Sequence, residues 1–387
     1  MHPHPMRVLL YGPYPFPGQP VTGGVMAVVY ALAQGLAQRP GLVVGVAASQ
    51  VGGAIATEND GGVTVFRTPV ARYPRGRWYF PLRHLLVELA DRFQPDVVHG
   101  HGTGYNAAAA LDAHCPALVT VHGVVRQEAA LSGAAGLKER LAWQYDALFE
   151  ARVLQRTQQA VAISPYVRRA FSRYAQIAWH DIPNPVDDAC FAVERRPQSG
   201  RLLVPARVIP RKGIDVAIMA FAQVAADHPG AELRIAGEVE TMPAYVAHCQ
   251  QMAADLGVQD RVRFLGNLNR PALLAELATA QAVLLPARQE TAPVAVAEAL
   301  AAGCPVVATA VGGLPDMVAP EQTGLLVEAG DPNALAQGLQ RILTDPGQTD
   351  AWGKAARTAA QCYRLDDVVA QTLRVYDLVL SSLIMRS

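Results

Sequence analysis

The chain has 387 residues, of which 51% are hydrophobic and 17% are charged, and its formal net charge is zero. This length indicates two domains, each large enough to bury its own core. The composition excludes a disordered chain, and the balanced charge argues against a nucleic-acid partner. The five cysteines are scattered, without a C-x-x-C pair. This argues against a disulfide framework or a zinc knuckle and indicates a reducing, cytoplasmic setting.

Charge is distributed unevenly along the chain. Residues 1–183 hold 16 Lys/Arg against 11 Asp/Glu, and residues 184–387 hold 17 against 22. Part of the positive excess lies in 67–84, "RTPVARYPRGRWYFPLRH", where arginines are interleaved with aromatic residues. Such a patch suits anionic lipid or an acidic acceptor and is compatible with peripheral membrane contact through the first domain; an ordinary solvated loop with aromatic packing explains it at least as well. No run reaches the roughly 20 apolar residues of a membrane span, and the N-terminus is interpreted as a short tail, not a signal peptide.

Short β-rich runs alternate with helical segments in the first half of the chain. Helices are predicted at 24–38 and 137–156 from their length and spacing. Buried parallel strands are predicted at "RVLLYG", "VVGVAA", "PDVVHG", "ALVTVHG" and "QAVAIS". This alternation is typical of a doubly wound α/β domain.

The same rhythm restarts in the second half, after a segment rich in Pro and Asp at 181–200 that we interpret as a linker. The second set of predicted strands is "RLLVPAR", "AELRIAG", "RVRFLG", "QAVLLPA" and "CPVVATA". We therefore predict two Rossmann-like domains, 1–183 and 184–365, with a C-terminal helix at 366–387 packing back toward the first. Two such domains would face an interdomain cleft lined by the carboxyl ends of both sheets, where ligands of α/β proteins bind.

Several cofactor sites that this fold invites have no matching sequence. A dinucleotide site needs G-x-G-x-x-G directly after a strand, but the first strand is followed by "GPYPFPGQPVTGGV". The chain also has neither a Walker G-x-x-x-x-G-K-[ST] motif nor a D-x-D pair that would hold a metal diphosphate. Redox, ATPase and metal-dependent functions are disfavoured, and we predict neither a cofactor nor a metal requirement.

Two glycine- and cation-containing turns are candidate anion sites. Gly23 and Gly24 enter a helix, so that backbone N–H groups at its N-terminus can face a phosphate. A tight turn that needs glycine explains the same residues equally well. Arg207 follows a predicted strand and Lys212 precedes a helix that begins near Ile214. Two cations beside a helix N-terminus suit a diphosphate, although exposed loop cations are common.

Two carboxylates lie in the otherwise apolar segment "RQETAPVAVAEALAAGCPVV". Glu290 falls in a strand-to-helix turn, and Glu298 falls in a helix predicted at 295–302, with Pro293 at its first position. A carboxylate among Ala and Val is costly to bury unless it accepts hydrogen bonds, which a polyhydroxyl ligand would supply. From periodicity alone, a solvent-facing Glu298 is as well supported as a ligand-facing one.

The short motifs along the chain, and the order in which they follow one another, resemble those of the family 4 retaining glycosyltransferases with the GT-B fold. The resemblance covers most of the chain and is strongest over residues 200–345. The motifs that carry it are "GGV", "VHG", "AISPYVRRAF", "IPNPVD", "ARVIPRKGID", "LRIAGE", "VRFLGNL", "ETAPVAVAEALAAGCPVVATAVGGLPDMV" and "TGLLVEAGDPNALAQGL". It implies transfer of a hexose from a nucleotide-diphosphate sugar to an acceptor hydroxyl with retention of configuration, in glycan, glycolipid or polysaccharide synthesis.

The resemblance also implies a role for each matching residue. Glu290 would face the transferred sugar, and Glu298 would bind the nucleotide ribose. Arg207 and Lys212 would hold the donor diphosphate and stabilise the leaving group. The remaining implied contacts are Gly24, in the glycine loop near the β-phosphate; His122, which would reach the sugar; and the backbone N–H groups of Val294 and Ala295.

The chain departs from the family pattern near the expected sugar site. Many relatives have Glu-Gly-Phe-Gly where this chain has "ETAP" (290–293), the family's Gly-x-Gly is here "GEV" (237–239), and its Glu after "GGLP" is Asp316. These departures leave the donor open, with UDP-sugars favoured over GDP-mannose. The acceptor is a glycan, a lipid-linked molecule or a small molecule. The alternative functions are a sugar-nucleotide epimerase or phosphorylase on the same fold, and an inactive nucleotide-sugar-binding protein.

Overall fold

The computed structural model describes residues 4–51, 55–70, 79–131 and 136–384. The chain forms two compact units. One contains the chain up to Pro185, apart from a short segment at 130–133, together with the residues from Leu365 onward; the other contains 186–364. Each unit is built around its own β-sheet.

The first unit has an eight-stranded sheet in the order β3-β4-β2-β1-β5-β6-β7-β8, parallel except for β3, which pairs antiparallel with β4. Its strands are β1 (Met6–Tyr11), β2 (Leu42–Val51), β3 (Ala56–Asp60), β4 (Val63–Val70), β5 (Val97–His101), β6 (Ala117–Val121), β7 (Gln159–Ala162) and β8 (Ala178–Asp181). Its helices before residue 186 are α1 (Gly24–Ala37), α2 (Tyr79–Phe93), α3 (Tyr105–Asp112), α4 (Val125–Ala130), α5 (Leu137–Arg156) and α6 (Pro165–Ala170). The strand order reverses direction between β1 and β5, so the loops that follow these strands diverge there.

The second unit has a six-stranded parallel sheet in the order β11-β10-β9-β12-β13-β14, the order of dinucleotide-binding folds. Its strands are β9 (Arg201–Val204), β10 (Glu232–Ala236), β11 (Val262–Gly266), β12 (Ala282–Leu285), β13 (Val306–Thr309) and β14 (Gly324–Val327). Its helices are α7 (Asp188–Phe191), α8 (Ile214–Ala225), α9 (Pro243–Asp255), α10 (Arg270–Thr279), α11 (Val294–Ala302), α12 (Leu314–Met317), α13 (Pro332–Thr344) and α14 (Pro346–Ala359). The predicted doubly wound α/β class is confirmed, and the order reverses between β9 and β12.

The last helix, α15 (Leu365–Ile384), packs within the first unit against α1, β5 and β6. Tyr376 on this helix is fully buried, and its hydroxyl lies 2.8 Å from Nδ1 of His99 on β5. At the other end of the helix, Arg39 NH2 lies 2.5 Å from Asp366 Oδ1. The helix therefore contributes both apolar packing and a buried polar contact to the core of the first unit.

The segment at 181–200 is not the linker that its Pro and Asp content predicted. From Val186 onward it belongs to the second unit, where Cys190, Phe191 and Val193 are buried in the core. Its short helix α7 is capped by the side chain of Asp187, which accepts a hydrogen bond from the N–H of Ala189 at 2.9 Å. Four apolar residues outweigh the polar composition of the segment because they are buried in the second core: Val186, Cys190, Phe191 and Val193.

Candidate functional site

The loop that follows β9 carries three cations at the point where the second sheet reverses its order. Arg207 is exposed, and its guanidinium has no hydrogen-bond or ion-pair partner among the described residues. Arg211 and Lys212 form a single 3-10 turn that ends at Gly213. Gly213 has φ 68°, and a Cβ added there would lie 1.9 Å from the carbonyl oxygen of Pro286. Only glycine therefore lets this loop approach the segment after β12.

The turn that follows β12 brings Glu290 to Lys212. Glu290 is 5% exposed, and its Oε1 accepts a short hydrogen bond from Lys212 Nζ, while its Oε2 lies 3.8 Å from Arg211 NH1. The carbonyl oxygen of Glu290 accepts a hydrogen bond from the N–H of Gly313 at 3.2 Å. An added Cβ at Gly312 would lie 1.7 Å from the same oxygen. The carboxylate is thus fixed between the loops that follow β9 and β13.

Sequence reasoning missed the side chains that hold these loops together. Arg288 forms a bidentate ion pair with Asp215, at 2.9 and 2.7 Å, and the hydroxyl of Tyr245 donates to the same carboxylate at 2.8 Å. Burial raises the pKa of Asp215, but the hydrogen bonds from Arg288 and Tyr245 outweigh it and hold this pKa below its usual range. The only signal in the sequence was the position of Arg288, two residues before Glu290.

Glu298 is held by an arginine on α10. Its side chain is 14% exposed, and its Oε1 accepts a short hydrogen bond from Arg270, whose Nε lies 3.2 Å from Asp187 Oδ2. Burial raises the pKa of Glu298, and the Arg270 guanidinium opposes that rise. The solvent-facing alternative therefore does not hold, because the carboxylate is mostly buried and paired. Its role toward a ribose stays a prediction.

Helix α11 begins without a side-chain cap. Pro293, predicted at the first helical position, is instead the N-cap residue, with φ −67° and ψ 123°. The first backbone hydrogen bond of the helix is donated by Val296 to the carbonyl oxygen of Pro293, at 3.0 Å. The N–H groups of Val294 and Ala295 precede this bond, so they lie where a helix N-terminus favours an anion. Gly303 ends the helix in the left-handed conformation.

In the first unit, the two candidate glycines lie between β1 and α1. Gly23 is the N-cap residue of α1, with φ 78° and ψ 153°, and no side chain caps this helix. An added Cβ at Gly23 would meet nothing within 4 Å, so the glycine is required by its backbone conformation and the space in front of the helix is open. Both sequence interpretations, a turn and an anion site, agree with this geometry.

His122 follows β6 and belongs to a row of three imidazoles. Its Nε2 lies 3.0 Å from Nδ1 of His101, and the ring of His101 stacks on that of His99 at 4.4 Å. Burial lowers the pKa of His99 to about 3 and that of His122 to about 4, and it lowers the pKa of His101 well below its usual value. The row is therefore neutral at pH 7, so His122 offers a hydrogen bond without a positive charge.

A buried carboxylate that the sequence did not single out joins the loops after β5 and β6. Glu150 on α5 accepts hydrogen bonds from the hydroxyl of Thr103 at 2.9 Å and from the N–H of Val125 at 3.2 Å. Burial raises its pKa from the ordinary value of 4.5 to about 7, against the opposing effect of those two bonds. In the sequence, Glu150 looked like any charged residue on a long helix.

We expect Glu150→Gln to stabilise the protein at pH 8 and to have little effect at pH 5. Because the folded state binds this proton more tightly than the unfolded state, wild-type stability falls as the pH rises from 4.5 through 7. The difference in the free energy of unfolding between variant and wild type should therefore grow by up to about 3 kcal/mol over this range. Urea titrations at both pH values measure it, with Glu139→Gln, an exposed position on the same helix, as control. An equal effect at both pH values would contradict the assignment.

The basic-aromatic patch is only partly described. Residues 71–78 lie outside the described residues, but Arg67 does not belong to an exposed patch as predicted. It is 2% exposed, and its guanidinium donates to the carbonyl oxygens of Tyr14 at 2.9 Å and Pro15 at 2.5 Å. It lies in β4 and points into the unit, where Glu58 also pairs with it at 3.1 Å.

Two features are absent from the described ranges. None of their helices combines the length and apolar character needed to cross a membrane. Within the same ranges, no three side chains of His, Cys, Asp or Glu are grouped so that they could hold a metal ion.

Solved structures with the same architecture identify its class. Sucrose-phosphate synthase from Thermosynechococcus elongatus matches with a TM-score of 0.81 over 97% of this chain and 100% of that one, at 23% identity. HepE from Anabaena, solved in complex with UDP-glucose, matches with a TM-score of 0.75 over 96% and 99%, at 18% identity. These likenesses show the fold, so the two parallel-sheet units define a protein of the GT-B class.

Two family models match the chain in tandem. "Glycosyltransferase Family 4" covers residues 22–189, and "Glycosyl transferases group 1" covers residues 190–359. The chain belongs to the family 4 glycosyltransferases. It is similar to D-inositol 3-phosphate glycosyltransferase of Streptomyces avermitilis, with 34% identity over 181 residues, which are 45% of this chain and 39% of that one. The match thus spans less than half the length of that relative.

Proposed function

We propose that the protein transfers a hexose from a nucleotide-diphosphate sugar to an acceptor hydroxyl with retention of configuration. The observation that carries the proposal is the arrangement after β9 and β12, where Lys212 contacts the buried Glu290 and the exposed Arg207 lies in the same loop as Lys212. Carboxyl ends of parallel strands at a reversal of strand order are where α/β proteins bind nucleotides. Three cations and one carboxylate there suit a ligand that carries both phosphates and hydroxyls.

In the proposed reaction, the acceptor oxygen bonds to the anomeric carbon on the face that the diphosphate leaves, and the acceptor's hydroxyl proton passes to the departing phosphate oxygen. As the bond between the anomeric carbon and the diphosphate breaks, negative charge grows on the departing phosphate. Arg207, Lys212 and the N–H groups of Val294 and Ala295 stabilise it, and such fixed electrostatic groups are usually the largest contribution to catalysis. These groups need no metal for that role. We assign Glu290 the role of positioning the sugar hydroxyls and not that of a nucleophile, because a carboxylate already paired with Lys212 is a poor nucleophile.

We assign donor binding mainly to the second unit and acceptor binding to the first. On this proposal, Glu298, oriented by Arg270, accepts hydrogen bonds from the ribose. Gly23 and Gly24 leave the α1 N-terminus open for a phosphate oxygen, and the neutral His122 hydrogen-bonds the transferred sugar.

The donor is proposed to be a UDP-sugar, with GDP-mannose as second choice. HepE, which shares the fold, was solved with UDP-glucose. A thermal-shift screen against UDP, GDP, ADP and their sugars tests the proposal, since a ligand that binds only the folded state raises its stability. At 100 times its Kd, the cognate nucleotide sugar should add about 2.7 kcal/mol. No stabilisation by any of these compounds would contradict the proposal.

Two rival functions make different predictions. An epimerase on the same fold would convert the donor alone into a different sugar nucleotide, and a phosphorylase would need inorganic phosphate for turnover. An inactive binding protein would be stabilised by a nucleotide sugar without consuming it. Against the inactive binding protein stands the full set of predicted site residues, which the chain retains: Gly24, His122, Arg207, Lys212, Glu290 and Glu298.

The acceptor is proposed to be a glycan or a lipid-linked molecule, with a small molecule as the alternative. We also propose that the protein works in the cytoplasm or at the inner face of the membrane. Because Arg67 is buried, the structural support for membrane contact comes from helix α5. Leu137, Leu141, Tyr145 and Leu148 are exposed on one of its faces, with the exposed Lys138 and Arg140 beside them. Co-flotation with anionic vesicles, absent for Leu141→Ser/Leu148→Ser, tests this contact.

A further inference from the structure

Gln289, in the turn between β12 and α11, has one unused polar group. The residue is 4% exposed. Its Oε1 and its own carbonyl oxygen both accept hydrogen bonds from Arg211 NH1, each at 3.1 Å. Its Nε2 is buried and has no hydrogen-bond acceptor among the described residues. A buried donor without a partner costs about 1–3 kcal/mol, so it calls for a physical explanation.

The orientation of the amide is fixed by its partner. A guanidinium carries only donors, so the atom of Gln289 that faces Arg211 must be the oxygen. Exchanging the oxygen and nitrogen would oppose two donors and leave the carbonyl unpaired instead. The unused group is therefore an NH2 with two donor hydrogens, and its missing partner is an acceptor.

The backbone on either side of Gln289 is anchored. Arg288 is held by Asp215, and its N–H donates to the carbonyl oxygen of Arg211 at 2.8 Å. Glu290 is held by Lys212 and by the N–H of Gly313. The amide is thus held at the reversal point of the sheet, between the cations after β9 and the start of α11.

We propose that Gln289 is a donor-binding residue whose Nε2 donates a hydrogen bond to an oxygen of the nucleotide sugar. This inference rests on the proposed function, and it adds a residue that the family motif does not specify. The hydrogen-bond acceptor is either a phosphate oxygen or a hydroxyl oxygen of the transferred sugar, since both kinds of oxygen accept a hydrogen bond from a neutral N–H group. In the absence of ligand, the unpaired amide lowers stability; when ligand binds, that cost is recovered as affinity.

The experiment compares Gln289→Met with a matched glutamine. Gln281 is equally buried, at 3% exposed, but both ends of its amide are satisfied, by the N–H of Gly200 at 2.6 Å and the carbonyl oxygen of Ile342 at 2.7 Å. We expect Gln289→Met to keep or raise the thermal midpoint without ligand and to weaken nucleotide-sugar binding about tenfold or more. Gln281→Met should lower the midpoint and leave binding unchanged. A second variant, Gln289→Glu, keeps an acceptor for Arg211 and should also weaken binding.

The probes are UDP and UDP-glucose, with GDP and GDP-mannose run alongside, and calorimetry gives each Kd. Equal weakening for the nucleoside diphosphate and its sugar identifies a phosphate oxygen as the acceptor, whereas weakening for the sugar conjugate alone identifies a sugar hydroxyl. Unchanged affinities in both Gln289 variants would overturn the inference while leaving the proposed function standing. If the wild-type protein binds neither these probes nor any other compound of the thermal-shift screen, the proposed function fails and the inference fails with it.

Discussion

Replacing Lys212 with methionine is expected to lower turnover of the nucleotide sugar by about 10²–10³-fold, the usual cost of removing one group that stabilises transition-state charge. In the folded protein, Lys212 contacts a carboxylate that is almost fully buried, and Arg211 is the only other cation within 4 Å of it among the described residues. Methionine fills a similar volume but supplies no charge to the leaving phosphate and leaves Glu290 with the more distant arginine.

The control for this variant is Lys354→Met, an exposed lysine on α14. It should leave both turnover and thermal stability unchanged. Steady-state assays with saturating donor separate a loss of kcat from a loss of affinity, and the proposal requires kcat to fall. A Lys212→Met protein with wild-type kcat would contradict the role given to this lysine.

Gly213→Ala is expected to destabilise the second unit by more than about 3 kcal/mol and to abolish activity. Two effects add at this position: a positive φ, which alone costs about 1–2 kcal/mol for a residue with a Cβ, and a Cβ that would lie 1.9 Å from the carbonyl oxygen of Pro286. Relief of the clash requires the loop with Arg211 and Lys212 to move away from the turn with Glu290.

Gly330→Ala separates these two effects. Gly330 has φ 75°, close to that of Gly213, but an added Cβ would meet nothing within 4 Å. It should therefore cost only the backbone term of about 1–2 kcal/mol and preserve activity. Denaturant titrations of both variants measure the difference. If the two substitutions cost the same, close approach of the two loops is not what requires Gly213.

The fold was largely predictable because its strands are short, apolar and bounded by turn residues. The helix predicted at 137–156 agrees with α5, and the turns after β9 and β12 lie where the strand pattern predicted them. The edge strand β3 of the first sheet escaped prediction for a physical reason. β3, "ATEND", is exposed along most of its length, so it lacks the apolar signal that marks the buried strands.

The candidate site was predictable only in part, since contacts between distant segments leave no local pattern. Lys212 and Glu290 were recognised by their motifs, but Asp215, Tyr245 and Arg270, which orient the neighbouring loops and Glu298, needed the fold. The buried arginine of β4 shows the converse error. Arg67 was counted with an exposed patch by composition, yet two carbonyl groups and Glu58 satisfy it inside the unit.

The central claim is tested most directly by following the sugar during turnover. NMR of the protein with the nucleotide sugar that stabilises it most, in the presence of a glycan acceptor or of water alone, records the anomeric configuration of the first product formed. The account predicts an α-linked product or α-sugar from an α-linked donor, together with release of the nucleoside diphosphate. A β-configured first product, an epimerised sugar nucleotide, or a bound donor that stays intact would contradict it.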